Sequence, residues 1–281
     1  MSGGRLARAG GFTVLGHLVL GFLILWTLLP LYWMVTTSLK VEADIYGPSV
    51  ALWPRAFTLA NYRLLFAETP FLVYLRNSTL VALATTAGSL VAASLGAYAI
   101  ARLRFPGRRA LARAMVYSYL VPQSLLFIPL FVILVRLGLH NSLSGLVLSY
   151  LGFSVPFCTW LLIGYIRSVP VEIEEAALVD GCGRLGVLLR IVVPIIVPAL
   201  AVVAFFSFTL SWNEFLYADV FTTSVTAKTL PTGLAGFKQR DVFFWGPIMA
   251  SSLISAVPPL MLYFVLQRWL LTGLTMGAVR G

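Results

Sequence analysis

One short polar segment, Arg167–Arg184, has the residue types best suited to bind another molecule through charged and small side chains. It lies between two long apolar runs. Pro170 suits the first position of a helix, because proline has no N–H to leave unbonded there. Three glutamates follow near the first turn, where the helix dipole favours negative charge: Glu172, Glu174 and Glu175. Gly181 and Gly183 can then end the helix in a left-handed cap. The sequence therefore predicts a short acidic helix.

One face of this helix carries small and acidic side chains. Four residues lie at helical spacing from one another: Ile173, Ala176, Ala177 and Asp180. The two alanines have short side chains, so this face of the helix is thin. A thin face allows another protein to approach closely, and the nearby acids could pair with Arg or Lys on that protein. The same pattern fits a solvated interfacial helix that joins two membrane spans. Helix physics alone leaves both interpretations open.

Residues for catalysis or metal binding are sparse. A phosphate-binding loop needs Gly-Lys followed by Ser or Thr, and no lysine of this chain follows a glycine. His140 lies near Ser142 and Ser144 but without an oxyanion-type glycine motif, which favours a polar loop histidine over a hydrolase site. Cys158 and Cys182 indicate neither a disulfide framework nor a zinc site. The chain is predicted not to be an enzyme.

Composition places the chain in a membrane. It has 281 residues, of which 59% are hydrophobic and 11% charged. A soluble domain of this length needs more charge to cover its surface. The net charge of +10 could indicate nucleic acid, but no basic stripe or basic helix is present. The arginines instead lie in short gaps between apolar runs, so no nucleic-acid partner is expected.

Six apolar runs are long enough to cross a bilayer at 1.5 Å per residue. They are Phe12–Val35, Asn77–Ala101, Ala110–Val135, Ser142–Ile166, Val187–Phe215 and Trp245–Leu270. Each is predicted to be a helix, because a backbone in lipid must satisfy its own hydrogen bonds. The first run is interpreted as an uncleaved signal anchor. The second is rich in Gly, Ala and Ser and is expected to pack closely against other helices.

The arginines in the short gaps predict the orientation. The second gap holds five: Arg102, Arg104, Arg108, Arg109 and Arg113. The fourth gap holds Arg167, Arg184 and Arg190, whereas the third holds Arg136 alone. Positive charge stays on the cytoplasmic side, so the second and fourth gaps are expected to face inward. With six spans, both termini of this multi-pass membrane protein are then expected in the cytoplasm.

Ionisable residues are missing where ion coupling usually needs them. No run has Asp, Glu, Lys or His near its middle, which argues against an ion-coupled carrier or a channel that needs no other energy source. Glu214, in Trp212-Asn213-Glu214-Phe215, lies near the outer end of the fifth run. It could be a gate or a structural hydrogen-bond partner, and the sequence leaves both open.

The acidic segment resembles the EAA loop of binding-protein-dependent ABC import permeases. Glu175-Ala176-Ala177 is followed at the family spacing by Gly181, Ile191 and Val193-Pro194. Val193 replaces the usual leucine before Pro194. The resemblance continues in Asn61-Tyr62, Asn77-Ser78, Tyr98–Arg102, the Trp212–Phe215 segment and the end Gly273–Gly281, which is similar to the second permease of the maltose-type, carbohydrate-uptake group.

This resemblance implies a fold and a set of roles. The fold is all-α and integral to the membrane, with six transmembrane helices in the type I ABC importer permease arrangement and a cytoplasmic coupling helix between helices 4 and 5. It implies residues 1–72 as an N-terminal segment with the first span and an outward loop, 73–270 as a permease core of five spans, and 271–281 as a cytoplasmic tail.

Three groups of site residues follow from the resemblance. The group implied in coupling to an ATPase is Glu175, Ala176, Ala177, Asp180, Gly181 and Pro194. The tail implied at the ATPase interface is Gly277, Ala278, Val279, Arg280 and Gly281. The outward loop implied to meet a solute-binding protein contains Thr223, Ser224, Thr226 and Lys228.

The resemblance also implies partners. They are a second permease subunit, two ATPase subunits, an extracytoplasmic solute-binding protein and membrane lipid, in a bacterial or archaeal cell membrane. ATP and Mg²⁺ belong to the ATPase, and no cofactor is expected in this chain. The solute is expected to be a sugar or oligosaccharide. Glycerol phosphate or another small solute stays open, because that branch of the family also takes up glycerol phosphate.

Overall fold

The computed structural model describes the backbone of residues 3–49, 51–239 and 242–278, and the side chains of residues 16–49, 51–237 and 243–270. Within these ranges the chain is almost entirely helical. The elements are α1 (Gly3–Ser38), α2 (Glu42–Tyr46), α3 (Ala60–Ala67), α4 (Phe71–Arg102), α5 (Arg108–Leu120), α6 (Gln123–Arg136), α7 (Leu143–Ser168), α8 (Val171–Val179), α9 (Arg184–Val187), a π-helical turn (Leu188–Val192), α10 (Val193–Ile195), α11 (Val197–Asn213), α12 (Leu216–Phe221), α13 (Leu230–Ala235), β1 (Lys238–Gln239), β2 (Val242–Phe243) and α14 (Trp245–Ala278).

Four of these helices contain segments that are long and apolar enough to cross a membrane without a break. The segments are Gly16–Ser38, Phe71–Arg102, Leu143–Ser168 and Trp245–Leu270. Two bent helix pairs bring the number in the described residues up to six if each pair is one span. The length and apolar character of these helices agree with the predicted all-helical membrane fold.

Two of the predicted runs are not continuous helices, so the expectation of one helix per run is wrong for them. Run Ala110–Val135 divides into α5 and α6, which meet at 103°. Val121 has extended backbone there, because the ring of the following proline disfavours helical backbone at the preceding residue. Run Val187–Phe215 divides at Ile196, with 85° between the two parts. Pro198 near the start of α11 has no N–H with which to continue the preceding helix.

The chain packs as two units, and the first runs up to Thr69 and resumes at Phe237–Ser255. Asn61 of α3 holds the end of α1, since its side-chain amide donates to the carbonyls of Ser38 at 3.0 Å and Lys40 at 3.1 Å. Tyr46 joins α2 to the β2 strand by donating its hydroxyl to the Phe243 carbonyl at 2.8 Å. This packing does not test the predicted division at residue 72, which stays a prediction.

The second unit, Pro70–Gly236 with Ala256 onward, is built around α4, α7 and α11. Small residues of α4 lie fully buried, and an added Cβ at Gly88 would meet the side chain of Leu151. The expected close packing of the second run is therefore confirmed. Three serine hydroxyls bond across these helices, with 2.9 Å from Ser89 to Ser154 and 2.7 Å from Ser154 to Ser207. Such hydrogen bonds hold helices together where water is absent.

Two apolar clusters lie on either side of these serines in the second unit. One joins α4, α7 and the π-helical turn around Ala97, Leu162 and Leu188. The other joins α7 and α12 around Tyr150, Phe153 and Tyr217. The first cluster packs against Ala177 and Leu178 of α8, and the second includes Phe221, the last residue of α12. The α4 helix contributes to both clusters.

Candidate functional site

The acidic segment forms the predicted short helix, α8. Pro170 occupies the N-cap position, directly before the first helical residue and one residue earlier than expected, and makes no side-chain capping bond. Gly181 has φ of +86°, the left-handed conformation that glycine adopts without steric cost. The N–H groups of Cys182 and Gly181 bond the carbonyls of Ala177 and Leu178 at 2.9 and 3.1 Å, a Schellman cap. Gly183 is extended and begins α9, so only Gly181 makes the left-handed turn.

The exposed face of α8 has acidic, small and apolar members. Glu175 and Ala176 are exposed, and the side chain of Val179 is 88% exposed. Ala177 is half-buried and packs against the chain's own apolar cluster, so the two alanines face different surroundings. Asp180 is exposed at the end of the helix. An exposed valine beside a glutamate and an alanine makes a thin surface that another protein could cover.

Glu174, the buried glutamate of α8, points away from this exposed face. Its Oε1 accepts a hydrogen bond from Arg102 Nε at 2.7 Å, and both side chains are less than a tenth exposed. Its Oε2 accepts from the hydroxyl of Tyr98 at 3.2 Å. The family spacing falls on Glu175 and not on Glu174, so the predicted charged contact is the exposed acid, and its role stays a prediction. Helical spacing groups residues on faces, but it does not say which face is inward.

Pro194, the last member of the predicted coupling group, lies downstream of α8. It occupies the first turn of α10, directly after the π-helical turn. A proline cannot donate the hydrogen bond that the carbonyl of Arg190 would receive in a regular helix. The wider turn over Leu188–Val192 instead bonds the N–H of Val193 to the carbonyl of Leu188. Pro194 is exposed and shapes the chain after α8.

The loop between α12 and α13 is held by Asn141, a residue that was not predicted from the sequence. Its side-chain oxygen accepts from the N–H groups of Thr223 at 2.9 Å and Ser224 at 3.0 Å, and from the Ser224 hydroxyl at 3.1 Å. Its own N–H donates to the Phe221 carbonyl at 2.8 Å. Asn141 has φ of +52°, and asparagine is among the few residues that tolerate this conformation. That preference was the sequence signal that could have identified it.

The same loop is held from α4 as well. The side-chain amide of Asn77 donates to the carbonyls of Thr226 at 2.9 Å and Lys228 at 2.8 Å. The hydroxyl of Ser78 accepts from the N–H of Leu230 at 2.8 Å. Both side chains are buried, so these bonds have little competition from solvent. The Asn77-Ser78 pair of the sequence resemblance therefore positions this loop.

The predicted loop residues differ in exposure. Thr223 and Thr226 are exposed, whereas Ser224 and Lys228 are half-buried. Val225 at the tip is 49% exposed. The loop is thus a preformed surface with two threonines and one valine outward, and its backbone is fixed by Asn77 and Asn141.

Replacing Asn141 with alanine is expected to loosen this loop, because it removes the shared acceptor and disfavours the left-handed backbone. Hydrogen exchange of the Thr223 and Ser224 amides should accelerate about tenfold, the equivalent of one net hydrogen bond of about 1.4 kcal/mol. Asn141→Asp keeps the acceptor and should exchange nearly as slowly as the parent. Asn141→Gly keeps the backbone but should exchange fast, and slow exchange in it would contradict the role of the side-chain oxygen.

Glu214 forms the corner between α11 and α12. Its carboxylate accepts from the N–H groups of Tyr217 at 2.9 Å and Ala218 at 3.1 Å, which have no partner within the helix. It also accepts from the hydroxyl of Tyr150 on α7 at 2.7 Å. Burial, and next the charge of Glu214, raise the pKa of Tyr217 to about 12, so Tyr217 stays protonated and donates to the Gln123 carbonyl at 2.7 Å. Of the two roles left open for Glu214, these bonds match the structural one.

The predicted tail lies at the edge of what is described. Gly277 and Ala278 belong to the last turn of α14 by their backbone. Val279, Arg280 and Gly281 lie outside the described residues, so their predicted role stays a prediction. In the described part of the chain, no group of three or more His, Cys, Asp or Glu is arranged to hold a metal ion.

The fold and these surfaces define a multi-pass helical membrane protein with one exposed acidic helix. The chain belongs to the family described as the binding-protein-dependent transport system inner membrane component, whose model matches residues 84–276. The family assignment made from the EAA spacing is therefore confirmed. The matched residues include α8, the π-helical turn and the loop after α12.

Two relatives are similar over nearly the whole chain. The sulfoquinovosyl glycerol transport system permease protein SmoH of Agrobacterium fabrum is 36% identical over 90% of this chain and 89% of its own length. The trehalose/maltose transport system permease protein MalG of Thermococcus litoralis is 32% identical over 90% of this chain and 92% of its own.

A solved structure supports the fold. A subunit of a bacterial ABC transporter involved in the import of the acidic polysaccharide alginate superposes with a TM-score of 0.80, at 21% identity, over 92% of this chain and 96% of that chain. A second structure, of a bacterial alginate ABC transporter in complex with an alginate pentasaccharide-bound periplasmic protein, gives a TM-score of 0.69 at 18% identity. The predicted importer-permease fold is confirmed.

Proposed function

We propose that this chain is a permease subunit of an ATP-driven importer and that α8 is the helix on which an ATPase subunit docks. The exposed face of Glu175, Ala176 and Val179 carries the proposal. Val171, Ile173 and Val179 are 43%, 45% and 88% exposed on this one short helix, and a group of exposed apolar side chains beside an acid and an alanine is better suited to a partner's groove than to water. The buried Glu174 fixes the direction in which that face points.

The assembly that follows contains this chain, a second permease, two ATPase subunits and an extracytoplasmic binding protein. All ATP and Mg²⁺ chemistry belongs to the ATPase subunits. The loop Thr222–Thr229 contacts the binding protein through its exposed side chains Thr223, Val225 and Thr226. Its backbone is already fixed by Asn77 and Asn141, so contact requires little further ordering of the loop. The periplasmic protein seen with the alginate transporter supports this partner.

The solute is a sugar or an oligosaccharide. The names of the similar permeases support this class, since they concern sulfoquinovosyl glycerol and trehalose or maltose, and a third relative concerns diacetylchitobiose. All four of these solutes are glycosides with many hydroxyl groups. The arginine-rich α4–α5 connection and α8 face the cytoplasm, as do both termini, and the loop Thr222–Thr229 faces outward.

Cysteine labelling tests the sidedness and the docking together. Val179→Cys and Val225→Cys are made in a Cys182→Ser background, which removes the partly exposed native cysteine. The other native cysteine, Cys158, is buried and needs no replacement. A membrane-impermeant maleimide is expected to label Val179→Cys only in inside-out vesicles and Val225→Cys only in right-side-out vesicles. Bound ATPase subunits should slow labelling of Val179→Cys at least tenfold and leave Val225→Cys unchanged.

Val225→Cys is the matched control, since it makes the same substitution at an exposed valine of the opposite loop. Labelling of Val179→Cys from the outside would refute the orientation. Labelling that is equally fast with and without the ATPase subunits would refute the docking role of α8.

A further inference from the structure

The buried face of α8 contains an ion pair that the docking surface does not use. Glu174 is 4% exposed, whereas its neighbours Glu172 and Glu175 are exposed. Among the described residues, Glu174 is the only side chain of α8 that hydrogen-bonds to α4. A carboxylate is rarely placed in a buried position unless it has a charged partner, and Arg102 is that partner.

Arg102 is the last residue of α4, and it also holds the end of α7. Its Nη2 donates to the carbonyls of Ile166 at 2.7 Å and Val169 at 2.6 Å. These carbonyls lie at the C-terminus of α7, beyond its regular helical bonds, although the Ile166 carbonyl also accepts from the N–H of Val169 at 3.2 Å. The planar guanidinium presents its donors in a fixed fork, so one side chain fixes the ends of α4 and α7 and the inner face of α8 together.

Backbone connections alone would leave α8 free to turn. Between α7 and α8 the chain has only Val169 and Pro170, and Asp180–Gly183 follow α8 with one left-handed residue. The non-helical backbone at Pro170 and Gly181 interrupts the helical hydrogen bonding on both sides, so side-chain contacts must set the rotation of α8 about its axis. Ala177 and Leu178 pack against the apolar cluster, and the contact of Glu174 with Arg102 and Tyr98 adds the hydrogen bonds that fix α8 to α4.

The other end of α4 holds the loop Thr222–Thr229. Asn77 and Ser78, which bond that loop and the start of α13, belong to the same continuous helix as Arg102. The 32 residues of α4 extend over about 48 Å at 1.5 Å per residue. One rigid helix therefore has the proposed binding-protein loop at one end and the proposed ATPase-docking helix at the other.

We propose that Arg102 and Glu174 are positioning residues that fasten α8 to α4, so that a displacement of α8 by the ATPase moves α4 as one body. The contact transmits displacement in both directions. A binding protein that displaces the Thr222–Thr229 loop therefore also shifts α8 through α4. Neither residue contacts the solute or the nucleotide. This inference rests on the proposed docking function of α8.

The test uses the complete transporter in proteoliposomes, with Glu174→Gln as the first variant. Glutamine keeps the size and the acceptor for Tyr98 but removes the charge that pairs with Arg102. The ATPase subunits should still co-purify, because the exposed face of α8 is unchanged. Stimulation of ATP hydrolysis by the solute-loaded binding protein should fall at least tenfold, and the number of solutes imported per ATP should fall as well.

Two further variants separate coupling from folding. Glu68→Gln makes the same chemical change at an exposed glutamate outside α8, at the end of α3, and should stay within twofold of the parent. Glu174→Asp keeps the charge and should recover most of the stimulation. If Glu174→Gln does not accumulate in the membrane, Arg102→Lys is compared with Glu174→Asp instead. Lysine keeps the positive charge but cannot donate to Glu174, Ile166 and Val169 at the same time, so Arg102→Lys should lose the stimulation that Glu174→Asp keeps.

Unchanged stimulation in Glu174→Gln would overturn the inference while leaving the docking role of α8 intact. Loss of the ATPase subunits from Glu174→Gln would also overturn it, because the pair would then only maintain the shape of α8. Failure of the parent chain to bind any ATPase subunit would instead refute the proposed function itself.

Discussion

Replacing Glu175 with lysine is expected to abolish ATP-driven uptake while the protein remains in the membrane. Glu175 is exposed on α8 and makes no hydrogen bond in the described part of the chain, so the change should not disturb the fold. At a docked interface the new charge would face the basic group that Glu175 is proposed to meet. A desolvated pair that becomes repulsive costs several kcal/mol, which corresponds to at least a hundredfold loss of uptake.

The measurement is uptake of labelled solute together with co-purification of the ATPase subunits. Glu68→Lys is the matched control, since it makes the same charge change at another exposed acid, at the end of α3. It should transport at the parent rate. Parent-level uptake by Glu175→Lys would remove Glu175 from the proposed interface.

Replacing Glu214 with alanine is expected to lower the free energy of unfolding by about 3 kcal/mol, because hydrogen bonds to a charged group contribute roughly 1.5–3 kcal/mol each and are not additive. The change removes the acceptor of the Tyr217 and Ala218 N–H groups. It also leaves the hydroxyl of the buried Tyr150 without this partner. The unfolding midpoint in detergent is the measurement.

A structural role and a gating role for Glu214 predict different results. Asp219→Ala changes an exposed acid of α12, the helix whose first N–H groups Glu214 bonds, and should unfold close to the parent temperature. Glu214→Gln keeps one acceptor and should fall between the parent and Glu214→Ala. If Glu214→Ala unfolds at the parent temperature yet changes the rate of solute passage, Glu214 acts as a gate instead.

The sequence predicted features that depend on local or compositional physics. Apolar length predicted the spans, because a bilayer sets the same minimum for every protein. The EAA spacing predicted the family, and the left-handed turn at Gly181 followed from glycine's freedom at positive φ. The breaks before Pro122 and Pro198 were also local signals, since each proline disrupts the preceding turn and favours a kink, although one helix per run was predicted.

The inward face of α8 was beyond sequence reasoning. Glu174 and Glu175 are adjacent acids of the same type, and only the position of Arg102, 72 residues away, makes one of them buried. Likewise Asn141 bonds Thr223 across 82 residues, and Tyr150 bonds Glu214 across 64. These partners are brought together by helix packing, and no periodic pattern in the sequence indicates which residues will meet.

By itself, then, the sequence determined that this is a helical membrane protein of the binding-protein-dependent permease family with a short acidic helix between two spans. The tertiary structure decided which acid of α8 is exposed, which acid is buried against Arg102 of α4, and that Glu214 bonds a helix corner. The physical reason is that helix propensity, capping and hydropathy act over a few residues. Burial of a charge depends on which distant side chain lies within about 3 Å of it.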